Sequence, residues 1–404
     1  MGRSGSWGPR GWQTRILSAM RQTCNVLGLV FPLALAAAML PVRGAEPTGS
    51  PAVGGSPLER RFMAEPVRVT EGLPRAGEGY FAAAGNRICF QAYPDGYPFY
   101  QIFVQDFDPA SPGPRPPRRV SPGRGRTTCS WFSPDGQRLL FASSHLDPAL
   151  DETEAKARSE AAEDARSGRR RRYQWDFDPH MDLFTARLDG TDLVRITDTP
   201  GYDAECSFSP DGRSILFVSD RDGDADIYVS DAEGKNVRQL TDQPGYDGGP
   251  FFSPDGEWIA YRTDRLEKDL LQIHVMRADG SDDTAITRGR GVHWAPYWHP
   301  TQPWLIWTGA DHSDPAARPN YDLWIARYDP AGNAAQMGEP LRLTDHPGAD
   351  VLPAFSPDGS LLLWTASRDD AGGRTPSSQL WAARLDLAAI EAALPPLPPV
   401  KAAR

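Results

Sequence analysis

The sequence predicts an all-β fold, a six-bladed β-propeller of four-stranded antiparallel blades. Three observations predict it. A line of roughly 40–45 residues recurs six times between residues 67 and 387, the length of one propeller blade. A Ser-Pro-Asp-Gly turn stands in four of the copies, at 133–136, 209–212, 253–256 and 356–359. Glycine and proline are abundant (38 and 39 of 404 residues), which favours short strands and tight turns over long helices.

The clearest copy is "CSFSPDGRSILFVSDRDGDADIYVSDAEGKNVRQLTD" (206–242), followed by "FFSPDGEWIAYRTDRLEKDLLQIHVMRADGSDDTAITR" (251–288). A short first strand leads through Ser-Pro-Asp-Gly into a β-rich second strand. Pro fixes φ at the second turn position, and Gly takes the left-handed fourth. A polar loop leads to the third strand, where Ile227 and Val229 alternate with Tyr228 and Ser230, and a further turn leads to "VRQLT". The other copies are a worn one at 80–108, a split one at 131–147 and 181–198, and two at 297–345 and 354–386. The last lacks its fourth strand. "VRVTEGLPRAGEGYF" (67–81) parallels "VRQLTDQPGYDGGPFF" (237–252), so residues 67–70 are expected to complete the sixth blade and close the ring.

Outside the repeat, "NVLGLVFPLALAAAML" (25–40) reads as an export signal, placing the signal peptide at 1–45 with Met20 as an alternative start. Residues 46–66 read as a flexible linker and 388–404 as a tail. The split copy carries a charged insertion at 148–177, in which acids lead and four Arg (169–172) finish, as a helix dipole favours. Export implies a periplasmic or secreted protein, touching the membrane only if the signal stays uncleaved. A monomer is expected.

The net charge of −10 argues against nucleic acid; removing the five Arg of residues 1–45, which hold no acid, makes it −15. Beyond Cys24, the cysteines are Cys89, Cys129 and Cys206, an odd number that leaves at least one unpaired, and no CxxC is present. "DRDGDADIY" (220–228) begins like a calcium loop, but neither register supplies Gly at position 6 or Glu at 12, so it reads as a turn. GxSxG, HExxH, Walker A and GxGxxG are all absent. His293 and His299 lie along one strand, about 20 Å apart at ~3.3 Å per residue, and cannot share an ion. The twelve Trp mostly replace Phe or Tyr of other copies, which reads as packing between sheets rather than a sugar platform.

The blades resemble those of the TolB family of periplasmic propellers. The lines that carry this are "FSPDG" (132–136, 208–212, 252–256, 355–359), "SDRDGDADIY" (219–228), "NVRQLTD" (236–242) and the "PGYD" joints (200–203, 244–247). The resemblance implies an exported propeller that binds an envelope protein; TolB itself partners a peptidoglycan-associated lipoprotein and carries an α/β domain that has no counterpart here. Prolyl oligopeptidases and a metal-using oligogalacturonate lyase are built on similar blades.

The joints and the loops between second and third strands share one face. The candidate binding residues there are Tyr202, Asp203, Glu205, Tyr246, Asp247, His293 and Asp350, with His145, His312 and His346 nearby. The expected function is a non-catalytic scaffold for an envelope protein or peptide, with no catalytic residue and no cofactor. The alternative is a metal-assisted carbohydrate lyase or hydrolase with a divalent metal at the channel mouth.

Overall fold

The computed structural model describes residues 55–168, 177–314, 316–329, 336–368 and 377–397. The expected signal at 1–45 and the four arginines at 169–172 lie outside the described residues. The chain opens with a one-turn helix, α1 (Glu59–Phe62), and a two-residue strand, β1 (Val67–Arg68). β2 (Arg75–Phe81), β3 (Arg87–Tyr93), β4 (Gln101–Asp106) and β5 (Arg118–Arg119) form a four-stranded sheet. The next run is β6 (Thr127–Phe132), β7 (Arg138–Ser143), β8 (His180–Arg187) and β9 (Val194–Arg195), with helix α2 (Leu150–Ser167) between β7 and β8. β10 (Gly201–Phe208), β11 (Ser214–Ser219), β12 (Asp226–Asp231) and β13 (Arg238–Gln239) follow. β14 (Asp247–Phe252), β15 (Trp258–Thr263), β16 (Gln272–Arg277) and β17 (Thr284–Ala285) make another four-stranded sheet. β18 (Gly291–Trp298), β19 (Trp304–Asp311) and β20 (Asp322–Asp329) carry both β21 (Gln336–Met337) and β22 (Leu341–Arg342) at their outer edge. The last sheet is β23 (Asp350–Phe355), β24 (Leu361–Ala366) and β25 (Gln379–Arg384), before helix α3 (Leu387–Ala393).

The architecture is an all-β propeller with antiparallel four-stranded blades. By hydrogen bonding among the described residues the sheets number five, not six. The runs β6–β9 and β10–β13 merge into one eight-stranded sheet, because Gly201 and Tyr202 pair in parallel with His180 and Met181. Closure comes from the front of the chain: Val67 and Arg68 pair antiparallel with Ala382 and Trp381 of the last sheet, a strand of two residues where 67–70 was expected.

Two regularities show why the repeat folds as it does. In every run, a hydroxyl from the fourth-strand segment accepts the backbone N–H at the start of the third strand. The pairs are Ser121 with Ile102 (3.0 Å), Thr197 with Leu183 (2.9 Å), Thr241 with Ile227 (2.9 Å), Thr287 with Ile273 (2.7 Å) and Thr344 with Leu323 (2.9 Å). In the closing sheet the hydroxyl is Thr70 on Leu380 (2.9 Å). In every run, too, the innermost strand breaks register at one residue of positive φ: Glu78, Cys129, Glu205, Gly249, Ala295 and Leu352. These bulges bend the strand and re-aim its side chains. The Ser-Pro-Asp-Gly turns form as expected; Gly212, at φ 72°, donates to the Ser209 carbonyl at 2.9 Å.

The core lies between neighbouring sheets. Trp304, Trp307 and Trp364 are buried there, so the tryptophans pack sheet against sheet. Two expectations about the flanks need correction. Within 46–66, the described stretch is no free tether: Glu59 and Phe62 are fully buried, and Met63 bridges Leu385. The tail from 388 is not free either, since Ile390 and Leu394 join the same hydrophobic cluster as Phe62. In both places apolar side chains cover the outer edge of the seam where the ring closes. The insertion at 148–177 is helical over Leu150–Ser167, ending on left-handed Gly168, and is docked through its buried Glu154.

Candidate binding site on the loop-bearing face

The candidate residues fall at equivalent places on the inner strands, and the structure shows what each is committed to. Asp203 receives both carboxylate bonds from Arg221 (3.1 and 3.2 Å). Asp247 is bound by Arg265. Asp350 receives Arg368 at 2.8 and 3.1 Å, and the same guanidinium holds Glu59 at 2.6 and 3.1 Å. Each Arg stands eighteen residues after its Asp, two beyond the β-partner of that Asp. All three carboxylates are buried. Burial pushes the Asp247 and Asp350 carboxyls up, against the pull of their arginines. They are internal clamps, not a free acidic mouth.

Glu205 is equally committed. Its carboxylate accepts from Arg262 (2.7 Å), the Tyr246 hydroxyl (2.7 and 2.8 Å) and the Gly249 N–H (2.7 Å). Tyr202 is buried, and its backbone N–H donates to Asp220 (2.6 Å). Glu78, at the corresponding bulge of β2, shares this centre: burial pushes its carboxyl up to about 7, with Arg262 opposing and Glu205 adding to the rise. Next to these bulges, Tyr80, Trp131, Phe251 and Tyr297 come from four inner strands. Every pair of these rings stands within 6.1 Å, the closest, Tyr80–Trp131, at 4.8 Å. The centre is therefore filled by packed, mostly tilted rings at this level.

The histidines do not converge. His293 accepts a bond from Trp307 Nε1 (3.1 Å) on Nδ1, and burial, with His312 nearby, brings its pKa down to about 4. His312 bonds the Tyr321 hydroxyl (3.2 Å), His145 bonds Ser143 (3.0 Å), and His346 accepts the Gly348 N–H (2.9 Å). His299 sits at the far end of β18 against Trp304 and Phe355. Among the described residues, no three His, Cys, Asp or Glu stand close enough to hold a metal ion. Cys89, Cys129 and Cys206 are all free and buried. The acidic run at 220–226 is spent on the turn: Asp220 on Tyr202 N–H, Asp222 on Gln239 (2.5 Å), Asp224 on Gly245 N–H (3.0 Å) and Asp226 on Thr241 (2.9 Å).

One open feature of this face was not expected from the sequence. A cavity of about 310 Å³ lies beside the first sheet, lined by Pro74, Arg75, Tyr93, Pro94, Gly96 and Tyr97. Tyr93 packs on Tyr100 with ring centroids 4.1 Å apart, and Arg126 caps Phe99 at 4.2 Å. Helix α2 braces it: the Tyr97 hydroxyl donates to Glu154 (2.7 Å), which also accepts from Arg124 and Arg158. Burial alone would raise the Glu154 carboxyl; its hydrogen bonds, from Tyr97 first, outweigh that and hold it at about 2. The signal was present in "YPDGYPFY" (93–100), the one loop between second and third strands with four aromatics in eight residues.

Comparison with known proteins finds likeness in one stretch of the sequence and, at low identity, to several solved structures. Residues 173–243 match the family model of the TolB β-propeller domain. No curated protein matches the chain. Among solved structures, a chain assigned as TolB from Agrobacterium tumefaciens is 18% identical, with a TM-score of 0.46 over 77% of this chain and 90% of that one. TolB from Acinetobacter baumannii is 16% identical, with a TM-score of 0.48 over 80% and 65%. An oligogalacturonate lyase from Vibrio parahaemolyticus is 12% identical, with a TM-score of 0.45 over 76% of each chain. At these identities no activity passes from one to another. The chain carries a TolB-like β-propeller repeat.

Proposed function

We propose that the chain is an exported, non-catalytic propeller of six blades, the eight-stranded sheet counting as two, that binds a protein or peptide of the cell envelope on its loop-bearing face. One observation carries the reading. Three carboxylates of that face are consumed by internal clamps, while an aromatic-lined cavity with an exposed arginine stays open on the same face. Clamped carboxylates stiffen a scaffold; an open ring-lined cleft receives a partner. The test is capture from envelope extract on immobilised protein. A defined protein should be retained by the wild type and lost from Arg75→Gln. Turnover of uronic-acid oligomers with stoichiometric bound metal would replace this reading with the lyase.

A further inference from the structure

We propose that the β10–β13 run holds a socket for an arginine side chain of the bound partner, in which Asp226 and Asp222 take the guanidinium at the place where Gln239 now stands. This rests on the binding role just given and names the chemistry the partner brings.

The repeat itself identifies the occupant. Strand register fixes one equivalent position near the start of each third strand. In β8 it is Asp182, two residues before Phe184, which pairs with Arg195. In β20 it is Asp322, two residues before Trp324, which pairs with Arg342. Both carboxylates are buried, and each is held by that arginine at 2.7 Å. In β12 it is Asp226, two residues before Tyr228, but the residue that pairs with Tyr228 is Gln239. β4, β16 and β25 carry the neutral Gln101, Gln272 and Gln379 here and need no cation. The β10–β13 run alone buries the acid and leaves out the arginine.

No other side chain makes up the charge. The turn gives these acids hydrogen bonds and no cation: Asp226 accepts from Thr241 (2.9 Å) and Gln239 (3.3 Å), and Asp222 accepts from the same Gln239 nitrogen (2.5 Å). Arg221, the one cation of residues 220–226, is held by Asp203. A neutral amide therefore sits between two carboxylates, at the point where the two equivalent runs place a guanidinium. Burial pushes the Asp226 carboxyl up to about 7, with Asp247, Asp222 and Asp224 adding to the rise against the Thr241 bond. Asp182 and Asp322, raised by burial but each opposed by its arginine, stand at about 6.

The place is reachable from outside. The side chains of Arg195 and Arg342 are 43% and 40% exposed although the carboxylates they hold are only 6% and 5% exposed, so a guanidinium meets this carboxylate while its stem lies in solvent. Asp222 is exposed and Gln239 half-buried, so an incoming side chain need move only the Gln239 amide. Two carboxylates on one amide nitrogen suit a planar fork that donates to both at once. A metal ion fits less well, since among the described residues no three carboxylate, imidazole or thiol ligands are grouped to hold one.

The experiment titrates acetyl-Gly-Arg-Gly-amide into full-length protein, read by saturation-transfer NMR on the peptide. Wild type should bind saturably with a Kd on the order of 1 mM, as one charge-assisted contact allows. Replacing the peptide arginine with uncharged citrulline, or with lysine, should weaken binding about tenfold. Asp222→Asn, at an exposed position, should leave melting unmoved and weaken the arginine peptide about two- to fivefold. Gln239→Arg supplies the guanidinium from within: it should abolish peptide binding and raise the melting temperature by about 1–3 °C. No saturable binding up to about 10 mM, equal binding of the citrulline or lysine peptide, or undiminished binding to Gln239→Arg would each overturn the assignment. If Gln239→Arg and wild type capture the same envelope protein equally well, the socket falls and the scaffold reading stands.

Discussion

Three runs of the propeller hold an Asp–Arg clamp at the start of their inner strands, and three do not. In β10–β13, β14–β17 and β23–β25 the pairs are Asp203–Arg221, Asp247–Arg265 and Asp350–Arg368. At the same eighteen-residue spacing, the others carry Ala76 and Pro94, Thr127 and His145, and His293 and Asp311. Two of the three unclamped mouths hold half-buried aromatics: Tyr93 and Tyr97 in the first sheet, Trp294 and Tyr321 in the fifth run. Acid at a propeller mouth is thus no sign of a ligand site when an arginine follows at the clamp position. The cavity at Tyr93 lies at one of the three mouths without a clamp.

The largest effect should come from breaking the closure that one clamp supports. A chain beginning at residue 75 loses β1, Thr70 and Glu59 together, exposing the edge of β25 and leaving Arg368 with one partner fewer. No cooperative thermal transition should remain; an unchanged transition would show that the ring does not depend on its N-terminal strand.

Next is the clamp itself. Arg368→Met leaves Glu59 and Asp350 buried with no guanidinium, and stranding buried charge costs about 3–5 kcal/mol. His145→Ala, at the equivalent unclamped position, removes one side-chain hydrogen bond, a cost of about 1 kcal/mol. Urea unfolding of both variants should separate them clearly. Equal losses would dissolve the distinction between the two sets of blades.

The clamps also show what the sequence could and could not convey. Strand order and the Ser-Pro-Asp-Gly turns follow from local pattern, because each is set by residues within one repeat; the closing strand, which joins Val67 to Ala382, was legible only because the last copy lacks the strand that 67–70 repeats. The Asp–Arg spacing was equally visible in three copies, but its meaning depends on register, and the bulges at Glu205, Gly249 and Leu352 offset that register within the strand. The Glu59–Arg368 pair joins positions 309 apart, so no local pattern announces it. The parallel pairing of β8 with β10 has the same character: it depends on two joints approaching, not on the residues between them. The cavity at Tyr93 has neither acid nor histidine in its lining, so no ligand pattern in the sequence marks it.

At the centre, charge is unbalanced in a way that pH can read. Glu78 and Glu205 share Arg262, and Glu78 titrates near 7, raised from 4.5 chiefly by burial. A carboxyl whose pKa is raised in the folded state binds its proton more tightly there than when unfolded. Stability therefore falls as pH rises from about 4.5 to about 7 and levels off above. Glu78→Gln removes this dependence. Its stability relative to wild type should improve between pH 5 and pH 8 by on the order of 3 kcal/mol. A constant difference between the two proteins across that range would place the proton elsewhere.

The smallest effect sharpens the comparison by testing what the two sets of blades have in common. The hydroxyl on the third-strand N–H occurs in clamped and unclamped runs alike, as Thr241 on Ile227 and Ser121 on Ile102. Both hydroxyls also serve the residue that begins the third strand: Thr241 donates to Asp226 (2.9 Å) and Ser121 to Gln101 (2.7 Å). Thr241→Val and Ser121→Ala should each cost about 1–3 kcal/mol, because each leaves a buried N–H without its acceptor. The two losses should agree, since this bond belongs to the repeat and owes nothing to the mouth. A much larger loss at Thr241 would mean that the clamp and the outer edge are coupled through Asp226. The blades would then differ through their whole depth rather than only where they face a partner.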